Sequence, residues 1–159
     1  VSGIDLVRNL LQTPKDKPMR FYLFGGSPGI AEAAGERMLD MARGVEIAGC
    51  HHGYFSEENE AEIVQQINNS GADILLAALG APKQEKWIQR HKKNLNVKVC
   101  IGVGGTFDVF AGKARLAPEF FRKNGFEWLY RLYREPRRFK RMLDLPRYVM
   151  LALTKRVFH

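Results

Sequence analysis

The chain has 159 residues, of which 45% are hydrophobic, enough for one domain with its own core, so the composition argues against disorder throughout. It has no run of about 18 consecutive apolar residues, which excludes a membrane-spanning helix. The net charge of +8 comes from the end of the chain: residues 113–159 hold 13 Lys and Arg against 4 Asp and Glu, whereas residues 1–112 hold 12 against 13. We therefore predict a nearly neutral body, residues 1–112, and a basic tail, residues 113–159, that meets an anionic phosphate, membrane surface or nucleic acid.

Cys50 and Cys100 lie in or at the end of apolar runs, which is typical of buried, reduced thiols in a cytosolic protein. The sequence shows no signal peptide and begins at Val1 without an initiator methionine. We therefore expect it to be a fragment of a longer protein.

The body alternates short β-branched or aromatic runs with longer helical patterns, as in a Rossmann-like α/β fold with a parallel sheet. The pattern predicts four strands, at Arg20–Phe24, Val45–Cys50, Asp73–Ala78 and Lys98–Val103. It predicts helices at Ile4–Leu11, Pro28–Arg43, Glu57–Asn69 (with Ser56 as its N-cap) and Pro82–Asn94. In the tail, further helices begin at Pro118, Phe126 and Pro136.

Glycine-rich sequence follows three of the strands, and ligands bind at the carboxyl ends of parallel strands. After the first strand come Gly25, Gly26 and Ser27, where small residues would let backbone N–H groups approach an anion such as a diphosphate. A plain tight turn explains these residues about as well, because they match neither G-x-G-x-x-G nor the P-loop.

The other strand ends offer further candidates at the same edge. Lys83 and Gln84 open a helix, and a lysine there opposes the helix dipole, which favours contact with a ligand. Gly104 and Gly105 would admit a ligand, and Asp108 would either accept hydrogen bonds from a ribose or cap a helix. Tyr54 follows the second strand at the same edge and could stack on a base. No cluster of Cys, His, Asp and Glu completes a metal site, so we expect no catalytic metal.

In the tail, four arginines recur at intervals of three, four and three residues: Arg131, Arg134, Arg138 and Arg141. Such a row would lie on one face of two nearly collinear helices and could clamp a diphosphate. A solvated or lipid-facing stripe fits the spacing equally well.

Six segments in order resemble the WecG/TagA/CpsF family of glycosyltransferases (glycosyltransferase family 26) over essentially the whole chain. They are VSGIDL at the start, FYLFGGSPG, GYF, LGAPKQEKWI, GVGGTFDVFAG and EWLYRLYREPRRFKRM. The tail is most similar to the TagA branch, which uses UDP-N-acetylmannosamine in making the wall teichoic acid linkage unit.

The resemblance implies an inverting, metal-independent enzyme that needs no cofactor and uses a UDP-sugar as donor. Its acceptor would be N-acetylglucosaminyl-diphospho-undecaprenol at the cytoplasmic face of the plasma membrane. Gln84 would lie at the sugar or diphosphate, and Tyr54 and Asp108 would hold the uridine. Arg131, Arg138 and Arg141 would stabilise the leaving UDP. The family's proposed general base lies in a P-D-G motif upstream of the first match, and neither that motif nor the T-x-N motif is present, so we expect this chain to lack the base.

The tail also fits a helix that lies on an anionic membrane, because basic residues alternate there with apolar ones: Phe139, Met142, Leu143, Leu145, Val149, Met150, Leu151 and Leu153. The same apolar face could form a homo-oligomer. The leading interpretation has no nucleic-acid partner, but the basic tail leaves a nucleic-acid-binding module as an alternative. UDP-sugars of N-acetylmannosaminuronic acid or glucose also stay open as donors, because the choice of sugar depends on the shape of the pocket. A nicotinamide or flavin enzyme is disfavoured because Cys50, His51 and His52 supply no acidic residue for a ribose at the end of the second strand.

Overall fold

A computed structural model of the protein describes residues 3–13, 17–114 and 130. The helices in these ranges are α1 (Gly3–Gln12), α2 (Ile30–Met41), α3 (Glu60–Asn69), α4 (Lys83–His91) and α5 (Thr106–Phe110). The strands are β1 (Met19–Gly25), β2 (Val45–His51), β3 (Ile74–Ala78) and β4 (Val99–Gly102), and a 3₁₀ turn at Glu57–Asn59 precedes α3. The tail helices predicted from Pro118 onward lie outside the described residues.

The four strands form one parallel sheet in the order β2-β1-β3-β4, which confirms the predicted α/β fold class. Strand β1 pairs with β3 in an unbroken register from Phe21 opposite Ile74 to Gly25 opposite Ala78. Its pairing with β2 shifts by one residue after Phe21. Gly49 then lies against the Tyr22 ring, where a Cβ would come within 2.6 Å of a ring carbon.

Strand β1 is buried on both sides of the sheet, so its sequence is continuously apolar rather than alternating. Phe21, Leu23 and Phe24 are fully buried and Tyr22 is 3% exposed. Burying each such side chain contributes roughly 1.5–3 kcal/mol, so β1 supplies a large share of the stabilisation of the core.

Helices cover both faces of the sheet. Helix α2 packs on β1 and β2 and also touches α1 and α5. Gly35 of α2 lies beside Leu23, which places this helix on the Leu23 side of β1. On the other side, Tyr22 and Phe24 share a buried cluster with side chains of α3 and α4: Ile63, Val64, Ile67 and Trp87.

Within residues 3–13 and 17–114, the predicted strands and helices are present, with two differences in detail. The helix expected from Glu57 begins as the 3₁₀ turn, and the Ser56 side chain caps no backbone N–H there but donates to Asn59 Oδ1 at 2.5 Å. Helix α5 has no predicted counterpart because five residues are too few to show helical periodicity.

A buried carboxylate connects α3 to α4. Glu60 is 8% exposed and accepts hydrogen bonds from Arg90 Nη1 at 2.9 and 3.0 Å and from His91 Nε2 at 2.5 Å. Burial by itself would raise the pKa of Glu60, but the bonds from His91 and Arg90 outweigh it and hold the pKa below its ordinary value of 4.5.

We predict that Glu60→Gln lowers the free energy of unfolding at pH 7 by about 1–3 kcal/mol, because the partners of a buried charge are left poorly satisfied. Since the pKa is lower in the folded chain than in the unfolded chain, the contribution of ionised Glu60 is present above pH 4.5 and is lost as the pH falls through the folded value. The difference between variant and wild type should therefore shrink below pH 4.5 in urea titrations. Glu58→Gln, at an exposed position, is the matched control, and an equal loss in both variants would contradict the prediction.

Candidate functional site

The order of the strands marks one edge of the sheet as a ligand site. The chain runs outward from β1 to β2 and then returns to β3 on the other side of β1, so its direction reverses between β1 and β3. In parallel α/β sheets, ligands bind outside the carboxyl ends of the strands at this reversal. The segments at that edge are the β1 loop (residues 26–29), the β2 loop (52–56), the β3 loop (79–82) and the β4 loop (103–105).

The β1 loop is in direct contact with the end of β3. The N–H of Gly26 donates to the carbonyl oxygen of Ala78 at 3.2 Å. Gly25 has a φ of 136°, and a Cβ at this position would lie 2.4 Å from the carbonyl carbon and oxygen of Ala78. Only glycine fits this approach. Ser27 is exposed at the tip of the turn, where its carbonyl accepts from the N–H of Ile30.

Gly53 connects the β2 loop to the β1 loop and to the start of α4. Its N–H donates to Gly26 O at 2.8 Å, and its carbonyl accepts from Lys83 Nζ at 3.3 Å. The same Nζ lies 4.3 Å from the centroid of the Phe55 ring, a cation–π contact. Tyr54, between Gly53 and Phe55, is 68% exposed and so presents an aromatic ring to solvent at this edge.

Gln84 joins the start of α4 to the β4 loop. Its side chain is buried, with Oε1 accepting from the N–H of Gly104 at 3.0 Å and Nε2 donating to Glu85 Oε1 at 2.8 Å. Gly102 makes room for it, because a Cβ there would lie 2.6 Å from Gln84 Nε2.

Asp108 lies in the first turn of α5, where a negative charge is favoured by the helix dipole. Gly105 occupies the N-cap position, so the alternative of a capping aspartate is not what the structure shows. Asp108 Oδ2 lies 3.8 Å from the position of a Cβ built on Gly105, so the carboxylate stands beside that glycine.

The structure thus brings the predicted residues together in two groups. Gly25, Gly26 and Lys83 are connected through Gly53, and Gln84 is bonded to the loop that contains Gly104 and Gly105. Contact of any of these residues with a ligand stays a prediction. The tail arginines, Arg131, Arg134, Arg138 and Arg141, lie outside the described residues.

Two contact residues, Gly53 and Phe55, were not among the predicted site residues. Phe55 packs against Phe24, with 5.2 Å between ring centroids, and its ring also contacts the Lys83 ammonium group. The signals for them in the sequence are a glycine next to two aromatics in a loop and the place of GYF among the segments that resemble the family. Beside them lies an open groove of about 300 Å³, which is lined by Phe55, Glu57, Glu60, Pro82, Lys83, Lys86, Trp87 and Arg90.

The surroundings of both cysteines favour the protonated thiol over the thiolate. Burial and the nearby Glu32 carboxylate raise the pKa of Cys50 to about 11, and burial raises the pKa of Cys100. Both are free thiols, as predicted, but they are half-buried rather than fully buried.

Residues 3–13, 17–114 and 130 lack two features, a metal-binding cluster and a membrane-spanning helix. Within these ranges, no group of three or more His, Cys, Asp or Glu residues is placed to hold a metal ion. In the same part of the chain, no helix combines the length and hydropathy needed to cross a membrane.

A parallel α/β domain with four loops gathered at the reversal of its sheet is the architecture of a binding domain for a ligand such as a nucleotide. The chain belongs to the WecG/TagA/CpsF family of glycosyltransferases, whose model matches residues 1–159. It is similar to two curated proteins named N-acetylglucosaminyldiphosphoundecaprenol N-acetyl-beta-D-mannosaminyltransferase. The one from Bacillus spizizenii is 36% identical and the one from Bacillus subtilis is 33% identical, each over 153 residues and 96% of this chain. The chain spans 59% of the length of either relative.

We predict that Gly25→Ala lowers the free energy of unfolding by about 3 kcal/mol, because the added methyl group overlaps the Ala78 backbone at a positive φ. Gly29→Ala is the matched control: Gly29 also has a positive φ, 81°, but a Cβ there would meet nothing within 4 Å. It should therefore cost only about 1 kcal/mol. Urea unfolding of both variants measures the difference. Equal losses of unfolding free energy would contradict an added cost from the overlap with Ala78.

Proposed function

We propose that the protein containing this chain transfers N-acetylmannosamine from UDP-N-acetylmannosamine to N-acetylglucosaminyl-diphospho-undecaprenol, with inversion and without a metal ion. This reaction would form the linkage unit of wall teichoic acid. The observation that supports it most directly is the family match over the whole chain together with two relatives named for this acceptor and this sugar. Those names favour N-acetylmannosamine over the uronic acid or glucose donors and over a nucleic-acid ligand.

The donor would bind at the reversal between β1 and β3. Tyr54, 68% exposed, would stack on the uracil, and the Asp108 carboxylate would accept hydrogen bonds from the ribose hydroxyls. The diphosphate would lie near the glycines that end the strands, at Gly25, Gly26, Gly104 and Gly105.

In the transfer step, a hydroxyl oxygen of the acceptor sugar attacks the anomeric carbon of the donor, and the bond from that carbon to the phosphate oxygen breaks. The hydroxyl proton goes to a general base, which the family resemblance locates upstream of this chain. UDP leaves with the bonding electron pair, so negative charge grows on its diphosphate. Arg131, Arg138 and Arg141 would stabilise that charge by bidentate hydrogen bonds.

The basic tail would hold the enzyme on the inner face of the plasma membrane, where the undecaprenyl acceptor is embedded. Its 13 Lys and Arg alternate with apolar residues, and each basic residue near anionic lipid adds on the order of 1 kcal/mol of attraction.

The test uses the full-length protein and anionic vesicles that contain the lipid-linked acceptor. Radiolabelled UDP-N-acetylmannosamine is added with excess EDTA, and the vesicles are then sedimented. We expect labelled lipid and most of the enzyme in the pellet. Transfer only from another UDP-sugar, or loss of transfer in EDTA, would contradict the proposed donor or the metal independence. Enzyme that transfers the sugar but stays in the supernatant would contradict the membrane contact.

We predict that Tyr54→Ala weakens binding of UDP to the full-length protein about ten-fold, because stacking of a base on an aromatic ring contributes roughly 1–3 kcal/mol. Tyr54→Phe keeps the ring and is the matched control, with affinity close to wild type. Calorimetric titration measures both. Unchanged affinity in Tyr54→Ala would place the uracil elsewhere.

We predict that replacing Arg138 and Arg141 with Ala lowers kcat/KM by at least ten-fold, because two guanidinium groups no longer stabilise the leaving diphosphate. Replacing Arg137 and Lys140 with Ala removes the same charge outside the predicted arginine row. Equal losses of kcat/KM in the two double variants would indicate a general effect of charge rather than a clamp.

A further inference from the structure

The first turn of α4 contacts the two loops on either side of it through consecutive residues. Lys83 donates to Gly53 O in the β2 loop, and Gln84 accepts from the N–H of Gly104 in the β4 loop. The loop held by Lys83 carries Tyr54. The loop held by Gln84 leads into α5, which carries Asp108.

We infer that Lys83 and Gln84 are positioning residues, which fix the loops that present Tyr54 and Asp108 and do not themselves contact the donor. The inference rests on the proposed function, since the ligand of these loops is taken to be a UDP-sugar. It assigns Gln84 a different role from the one that the family resemblance implies.

Each polar atom of the Gln84 amide already has one partner within the protein. The side chain is 6% exposed, its oxygen accepts from the Gly104 N–H, and one N–H of its nitrogen donates to Glu85. A phosphate oxygen that also approached Nε2 would come close to the Glu85 carboxylate, which lies 2.8 Å from the same nitrogen. Like charges at such short range repel strongly, so a diphosphate is a poor partner for this amide.

Lys83 has internal partners that account for a cation at the start of a helix. Its charge opposes the dipole of α4, which is unfavourable by itself. The Gly53 carbonyl and the face of the Phe55 ring, 4.3 Å away, offset that cost by accepting the ammonium. Gly53 in turn donates to Gly26, so the Lys83 contact extends to the β1 loop.

A swap of two side chains separates positioning from contact by Gln84. In the double variant Q84E/E85Q, the new carboxylate at position 84 still accepts from the N–H of Gly104, and the new amide at position 85 donates to that carboxylate. A donor diphosphate in contact with residue 84 would be repelled by this carboxylate, whereas a loop held in place would be unchanged. Gln84→Ala removes both bonds, and Gln89→Ala, on an exposed position of the same helix, is the control.

Two quantities are measured on the full-length protein: hydrogen exchange of the Gly104 amide and calorimetric affinity for UDP. We expect Gln84→Ala to speed the exchange and weaken the affinity at least ten-fold, and the swap to restore both to within about three-fold of wild type. Unchanged exchange in Gln84→Ala would overturn positioning. So would a swap that protects Gly104 but binds UDP as weakly as Gln84→Ala, because it would indicate direct contact. Exchange of the Leu75 and Leu76 amides in β3 shows whether each variant is folded.

Lys83 is tested in the same way through the Gly53 amide. Lys83→Ala should speed its exchange at least ten-fold, Lys83→Arg should restore protection because it keeps a cation and a donor, and the exposed Lys93→Ala should have no effect. Weaker UDP binding without faster exchange would mean that Lys83 contacts the donor. A wild-type protein that shows these exchange effects but binds UDP no better than inorganic diphosphate would reject the UDP donor while leaving the loop positioning intact.

Discussion

The arrangement of the site depends on the burial of β1 on both of its sides. Because Phe21 and Leu23 face the α2 layer and Tyr22 and Phe24 face the α3 and α4 layer, β1 must be an inner strand. The chain can then place β2 on one side of it and β3 on the other, and this choice puts the reversal of direction next to β1. The close approach of Gly25 to Ala78 at that reversal brings the β1 and β3 loops together.

Helix α4 is fixed at both of its ends, by different chemistry. At its start, Lys83 and Gln84 hold two loops through a backbone carbonyl and a backbone N–H. At its end, Arg90 and His91 share the buried carboxylate of Glu60 in α3. Between them, Trp87 is 2% exposed and packs on Phe24 with 4.7 Å between ring centroids. A helix held in this way gives the two loops bonded to its first turn a fixed point of attachment.

The sequence was sufficient for the fold class because local patterns carry that information. Four apolar runs separated by helical patterns predict a parallel α/β sheet, and each observed strand lies within two residues of its predicted ends. The glycines at the strand ends lie at the carboxyl edge of the sheet, as predicted, whereas ligand binding at that edge stays a prediction. The sequence did not predict α5, because five residues are too few to show a helical pattern. It also did not separate the 3₁₀ turn that begins at Glu57 from the α-helix that begins at Glu60.

The roles of single side chains at the site were harder to predict, because their partners are distant in sequence. Lys83 bonds to a residue 30 positions away and Gln84 to one 20 positions away, and no periodicity connects such pairs. A lysine at the start of a helix therefore looked unexplained without a ligand, although the fold supplies the Gly53 carbonyl and the Phe55 ring. Burial of Gln84 was also invisible, since a glutamine in a helix is usually exposed.

The space beside Gly102 has a consequence for how this sequence can vary. The Gln84 side chain occupies the volume that a methyl group at position 102 would need, because Gln84 Nε2 lies 2.6 Å from the position of a Cβ there. Positions 84 and 102 therefore share one volume, although they lie on different elements. A larger residue at 102 would require the Gln84 side chain to move away from Gly104 and Glu85, or a shorter residue at 84, so a change at one position alters what the other can hold.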